Sequence, residues 1–142
     1  MKEMLIVWHS MTGGSEALAK AALHSAEDES AVKVRCLSAE QATHSDMLGA
    51  HGYLFVFPEN LAAISGVMKA FYDRCYYPCL GQIEGRPYAM IICAGSDGSN
   101  AARQAERGQP PELPQLTTER SGSDFMVDVC KTLSLDYMAA CP

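Results

Sequence analysis

Residues 6–19 read Ile6-Val7-Trp8-His9-Ser10-Met11-Thr12-Gly13-Gly14-Ser15-Glu16-Ala17-Leu18-Ala19, and three kinds of structure succeed one another within them. Met4 to Trp8 is a continuous apolar run, the pattern of a strand buried on both faces of a parallel sheet. Thr12-Gly13-Gly14-Ser15 breaks that run. Ala17, Leu18, Ala21 and Ala22 then recur at helical spacing and predict a helix with those residues inward. Strand, glycine loop and helix in this order open a βα unit. The first N–H groups of a helix point outward without intrahelical partners, and the helix dipole favours an anion there. Glycines let the main chain wrap closely, and the hydroxyls of Ser10, Thr12 and Ser15 can donate to phosphate oxygens. The loop holds no lysine or arginine, so it suits a terminal phosphomonoester better than a triphosphate, for which a P-loop lysine is expected. The plainer alternative is a glycine turn with a serine N-cap.

Outward from this unit the same rhythm continues. Ala31 to Leu37 alternates apolar and polar residues, as a half-exposed edge strand does. A short helix is predicted from Thr43, whose hydroxyl can cap while Asp46 favours the positive helix start. Tyr53 to Phe57 is a buried strand, predicted to end at Pro58. From Ser65 a second clear helix carries Val67, Met68, Phe71, Tyr72 and Cys75 inward, and Pro78 is expected to close it. Tyr88 to Cys93 is a fourth strand, followed by a polar loop and a short helix to about Arg107. Beyond a proline-rich loop from Gly108 to Pro114, Phe125 to Cys130 is the candidate fifth strand and Lys131 to Ala140 a candidate final helix. Alternating strands and helices argue an α/β fold, a parallel sheet covered on both faces, in a single domain spanning residues 1–142.

Ligands of open parallel α/β sheets bind beyond the C-terminal strand ends, near the point where strand order reverses. Three loops leave such ends here. The first is His9 to Ser15. The second is Pro58-Glu59-Asn60-Leu61-Ala62-Ala63-Ile64-Ser65, and the third is Ala94-Gly95-Ser96-Asp97-Gly98-Ser99-Asn100. Asn60 and main-chain groups can hydrogen-bond a ligand's polar edge, while Leu61 and Ile64 offer apolar surface. Gly95 and Gly98 permit close approach of a ligand to the backbone. Phe71 and Met68 read as core, and Lys69, Asp73 and Arg74 as a solvated face with local ion pairs.

The stretch Ile6 to Ala19 resembles the flavodoxin phosphate-loop signature: Ser10, Gly13 and Ala19 fall where that pattern has them. Trp8 stands for the usual Phe or Tyr, and Ser15 for the usual Thr, each keeping the chemistry. Ser65 to Arg74 resembles the Ser-Gly-x-Met-Lys-x-Phe-x-Asp-Arg segment of the FMN-dependent NAD(P)H:quinone and azo reductase-like branch, and as a whole the chain is most similar to the NAD(P)H:quinone / FMN reductase-like branch. The resemblance spans about residues 4–107 and implies a flavodoxin-like doubly wound sheet, strand order 2-1-3-4-5, in three αβα layers. It further implies FMN as cofactor, its phosphate on Ser10, Met11, Thr12, Gly13, Gly14 and Ser15. The ring would lie against Pro58, Glu59, Asn60, Leu61 and Ile64 on one side and Ala94, Gly95, Ser96, Asp97 and Gly98 on the other. NAD(P)H is the implied electron donor and a small quinone-like molecule the acceptor. Since the flavin carries the chemistry, no catalytic side chain is expected. The competing reading within this resemblance is a flavodoxin electron carrier for protein partners.

Composition narrows the field. Apolar residues make up 48% of the 142 and charged residues 20%, a globular profile. Eleven basic against seventeen acidic residues give a net charge of -6, which disfavours nucleic acid as the main partner. No apolar stretch is long enough to span a membrane, and the opening residues lack a signal-peptide pattern, so a cytoplasmic protein is expected. Six scattered cysteines form no CxxC pair and read as core packing, with no metal site. The chain lacks the GxGxxG of a dinucleotide fold, the acidic cluster of a response regulator and the first-loop cysteine of a small phosphatase. It also lacks the compact cysteine cluster of an iron–sulfur flavoprotein. Homo-oligomerisation is left open.

Overall fold

The computed structural model describes residues 1–95 and 98–107. The chain order is β1 (Lys2–Trp8), α1 (Gly14–Glu27), β2 (Val32–Ser38), α2 (His44–Gly49), β3 (Gly52–Asn60), β4 (Ala63–Ile64), α3 (Gly66–Cys79), β5 (Tyr88–Cys93) and α4 (Ser99–Arg107). β1 pairs in parallel with β2 and with β3, and β3 pairs in parallel with β5. The parallel order is therefore β2-β1-β3-β5, in which β5 is the fourth strand expected from the sequence. This is the flavodoxin-like arrangement. Strand order reverses at β1/β3, where the C-terminal ends of neighbouring strands splay their loops apart. The candidate fifth strand at Phe125 to Cys130, the candidate helix at Lys131 to Ala140 and the 108–114 loop lie outside the described residues.

The period-two alternation of the central strands sorts side chains into two cores. Leu5, Val7, Tyr53, Phe55, Phe57 and Met90 face α2, α3 and α4 and pack with Met47, Met68, Phe71 and Ala101. Met4, Ile6, Leu54, Val56, Ala89 and Ile91 face α1 and pack with Ala19, Ala22 and Ala26. The side chains of Phe55, Phe57 and Phe71 are fully buried, each contributing on the order of 2–3 kcal/mol relative to exposure.

The structure revises three local expectations. The inward stripe of α1 is Ser15, Ala19, Ala22 and Ala26, whereas Ala17 is exposed and Leu18 only half-buried. Alanines lie on every side of this helix, so spacing alone cannot choose a face; close approach to the sheet selects the stripe that is small throughout. Pro58 does not end β3. It pairs in register with Cys93, and the strand runs on to Asn60 before turning back as β4. Nor does Pro78 stop α3, which continues to Cys79. A proline in the last turn forfeits one intrahelical bond, and both Cys75 and Cys79 are buried on the core side. Burial pushes both thiols up, Cys75 to about 11, which favours the protonated form over the nucleophilic thiolate.

Two arginines fasten the helices to the frame. Arg86 donates to the carbonyls of Met47, Leu48 and Ala50 at 3.2, 2.9 and 2.6 Å, meeting the exposed carbonyls at the end of α2. Arg74 donates to Ala39 and Ala42 carbonyls at 2.7 and 3.1 Å and lies 5.8 Å from the Phe71 ring centroid. Of the trio expected to form a solvated face, Arg74 is thus structural, while Lys69 and Asp73 do form an exposed ion pair. The predicted start of α2 is present: Thr43 donates to Asp46 Oδ2 from both N–H and Oγ1 at 2.8 Å.

Candidate functional site

β1 delivers the first loop to the C-terminal edge of the sheet. His9 is held there by its N–H to Val56 O at 2.9 Å. The chain then rises into solvent: Met11, Thr12, Gly13 and Gly14 are all exposed. Gly13 is the residue before α1 and has φ +101°, a left-handed conformation that explains a glycine at this point. Its N–H donates to Ser10 Oγ at 2.9 Å, which folds the loop back on itself and leaves the Ser10 hydroxyl proton free to donate outward. Ala17 N–H, bonded to Gly13 O at 3.0 Å, is the first in the helix ladder, so the amides of Gly14, Ser15 and Glu16 precede it.

Beneath this exposed loop sits Ser15. It is 2% exposed, and its Oγ has no hydrogen-bond partner among the described residues. A buried hydroxyl left unsatisfied costs about 1–3 kcal/mol, so it is a feature to be explained. The loop around it holds no lysine or arginine among residues 9–15. An orphaned hydroxyl, a left-handed glycine and a helix start together fit a phosphomonoester.

The second loop is a tight hairpin. Glu59 pairs with Ile64 and Asn60 with Ala63, and Leu61 and Ala62 form the turn at φ +50° and +57°. Positive φ at both central residues is the type I′ turn, the form that matches strand twist. Leu61 is fully exposed at the tip, whereas Ile64 is buried in the core with Met68 and Phe71. Of the two side chains expected to offer apolar contact to a ring, Leu61 remains accessible and Ile64 does not. The Glu59 carboxylate is turned to α4 and accepts the Ala101 N–H at 3.0 Å.

In the third loop Ala94 is half-buried, Gly95 is exposed, and Gly98 is buried at φ +68°. The left-handed φ favours glycine here, and a Cβ at Gly98 would stand 3.2 Å from Ile92 Cγ2, a tight contact. Ser96 and Asp97 lie outside the described residues. The topology therefore brings the described parts of all three loops to one edge of the sheet, at the ends of β1, β3 and β5.

Sequence reading missed one pair here. His9 Nδ1 lies 3.0 Å from Ser65 Oγ, both side chains buried, joining the end of β1 to the residue that precedes α3. Fifty-six residues separate the two in the chain, so no local spacing could announce it. Among the described residues, no three His, Cys, Asp or Glu side chains cluster closely enough to hold a metal ion. No described helix is long and apolar enough to cross a membrane.

Comparison with known proteins agrees with this fold. A flavodoxin of Aquifex aeolicus (strain VF5) is 29% identical over 96 residues, covering 68% of this chain and 50% of its own length. The chain thus spans about half the length of the curated relative it matches. A solved flavodoxin from the domain Archaea superposes with a TM-score of 0.71 at 18% identity, covering 96% of each chain. The rubredoxin oxygen:oxidoreductase of Desulfovibrio gigas gives a TM-score of 0.72 at 14% identity, over 99% of this chain but 36% of its own. These structures are similar in fold. The profile of the family described as NADPH-dependent FMN reductase matches residues 18–110, beginning just past the first loop and taking in the other two. With that match over more than half its length, the flavodoxin-like chain belongs to the NADPH-dependent FMN reductase family.

Proposed function

We propose that this chain binds FMN by its phosphate at the Ser10–Ser15 loop and acts as an NAD(P)H-dependent oxidoreductase passing electrons to a small, quinone-like acceptor. The observation that carries the reading is the buried, unpartnered Ser15 Oγ beneath a neutral, exposed loop at the start of α1. A phosphate oxygen there would accept from Ser15, from the hydroxyls of Ser10 and Thr12 and from the first amides of α1. The hairpin at Asn60 and Leu61 and the backbone at Ala94, Gly95 and Gly98 would flank the ring. When bound, FMN supplies the electron-transfer chemistry; the chain's part is to hold, orient and shield it. The tip of the hairpin carries Leu61 and no aromatic, which leaves room for a nicotinamide to approach. Fluorescence-quenching titration with FMN, riboflavin and FAD tests the phosphate assignment. FMN should bind far more tightly than the others, and equal affinity for riboflavin and FMN refutes it.

A second reading, a carrier that exchanges electrons with protein partners, is favoured by the resemblance to the Aquifex flavodoxin. Anaerobic stopped-flow mixing of the FMN-loaded protein with NADH or NADPH separates the two. Rapid bleaching of the flavin absorbance supports the reductase; bleaching only by a reductase protein supports the carrier.

A further inference from the structure

The hairpin turn at Leu61 and Ala62 places two consecutive residues with Cβ atoms in the left-handed region, φ +50° and +57°. Sequences that form this turn normally supply Asn-Gly, because each Cβ is strained there. The ladder closing the turn is two register pairs long, Glu59 with Ile64 and Asn60 with Ala63. So short a ribbon is at best marginal in isolation, and its closure calls for support from outside. That support comes from α4. Gln104 Oε1 accepts the Ile64 N–H at 3.0 Å, and Glu59 Oε2 accepts the Ala101 N–H at 3.0 Å. One bond thus enters each leg of the hairpin, and the two run in opposite senses. In one the leg donates to a helix side chain; in the other the helix backbone donates to a side chain of the leg. Ala101 is the third residue of α4, so the Glu59 carboxylate also sits where the helix dipole favours it.

We propose that Glu59 and Gln104 are positioning residues, a two-point strut that holds the strained Asn60–Ile64 hairpin against α4 and so fixes one wall of the flavin-ring site. The flavin part of this role rests on the FMN reading above. The strut lies on the β5 side of β3, whereas the phosphate loop follows β1 on the other side. Loosening it should therefore weaken the hold on the ring and leave the hold on the phosphate alone, the converse of a change at Ser15.

Gln104→Met removes the acceptor at an exposed position while keeping the side-chain length, and Glu59→Gln weakens the second bond. In the apo protein, cleavage by thermolysin before the exposed Leu61, assigned by mass spectrometry, should quicken in Gln104→Met. Riboflavin and FMN should both bind more weakly by one common factor, and that factor multiplied by the gain in cleavage should come to about fivefold, the scale of one hydrogen bond. The ratio of their affinities should stay at the wild-type value, and the melting temperature should fall by about 2–4 °C. Glu59→Gln should show the same pattern with a smaller amplitude. Unchanged cleavage at Leu61, unchanged riboflavin affinity, or a loss confined to FMN overturns the strut. If the wild-type protein binds neither flavin, the FMN reading fails and the positioning role falls with it. If the wild type binds flavin and Gln104→Met binds it equally well, the positioning role alone is overturned.

Discussion

Ser15→Ala should move stability and cofactor affinity in opposite directions. In the apo protein the Ser15 hydroxyl is buried without a partner, and its desolvation is not repaid. Deleting it leaves a void smaller than a methyl group and removes a penalty of about 1–2 kcal/mol, the lower part of the range for an unsatisfied buried polar group. Ser15 is also the second residue of α1, where alanine is the better helix former by a few tenths of a kcal/mol. For a chain of this size, about 1.5 kcal/mol corresponds to a rise in melting temperature of roughly 4–6 °C. In the complex the balance reverses. A hydroxyl donating to a phosphate oxygen is a charge-assisted bond, worth about 1.5–3 kcal/mol, so FMN should bind roughly 10- to 100-fold more weakly. Riboflavin lacks the phosphate and should bind unchanged. Thermal denaturation of the apo protein followed by fluorescence-quenching titration measures both arms. The reasoning is refuted if apo Ser15→Ala is less stable than wild type, or if riboflavin and FMN affinities fall together.

Three other outcomes are expected. Gly13→Val should lower apo stability by about 1–2 kcal/mol and largely abolish FMN binding. Its Cβ would meet nothing within 4 Å, so the cost comes from φ +101° and not from a clash; an unaltered midpoint in urea would count against that backbone conformation. Leu61→Asn combined with Ala62→Gly should stabilise the chain by about 1–2 kcal/mol through relief of two left-handed residues, and denaturant unfolding with no gain would dismiss the turn type. The third expectation concerns acid. Burial alone would push the Asp46 carboxyl up, but hydrogen bonds from Arg35 and Thr43 outweigh it and hold that carboxyl below its ordinary value. A depressed folded-state value gives stabilisation that is fully present above the unfolded value of about 3.9 and is lost as pH falls through the folded one. Arg35→Met should therefore melt lower than wild type at about pH 7, with the gap narrowing below about pH 4; a gap that stays constant on acidification would show that the ion pair contributes no linkage.

Where a pattern is local, the chain discloses it without coordinates. The buried strands at Met4 to Trp8, Tyr53 to Phe57 and Tyr88 to Cys93 are apolar on both faces, which only a covered parallel sheet accommodates. Thr43 and Asp46 lie three apart and make a cap because helix geometry brings those positions together. The glycine loop before α1 is legible for the same reason, since a left-handed residue, several hydroxyls and a helix start follow from adjacent residues. Other features depend on which distant segments meet. Alanines on all sides of α1 conceal its inward stripe until the sheet is placed beneath it. Pro58 and Pro78 look like terminators, yet β5 pairs alongside the first and the core buries Cys79 beyond the second.

The division is sharpest at the site. Sequence by itself determined the α/β alternation, the order of the loops and the neutral, hydroxyl-rich character of the first of them, because these are set by neighbours within a few residues. Only the tertiary structure decided that Ser15 is buried without a partner, that Ile64 belongs to the core while Leu61 is exposed, and that Glu59 and Gln104 tie the hairpin to α4. It alone joined His9 to Ser65. Each of these rests on contacts between residues separated by tens of positions, or on burial by such contacts, and the hydrogen-bonding capacity of a side chain carries no information about which distant group will satisfy it.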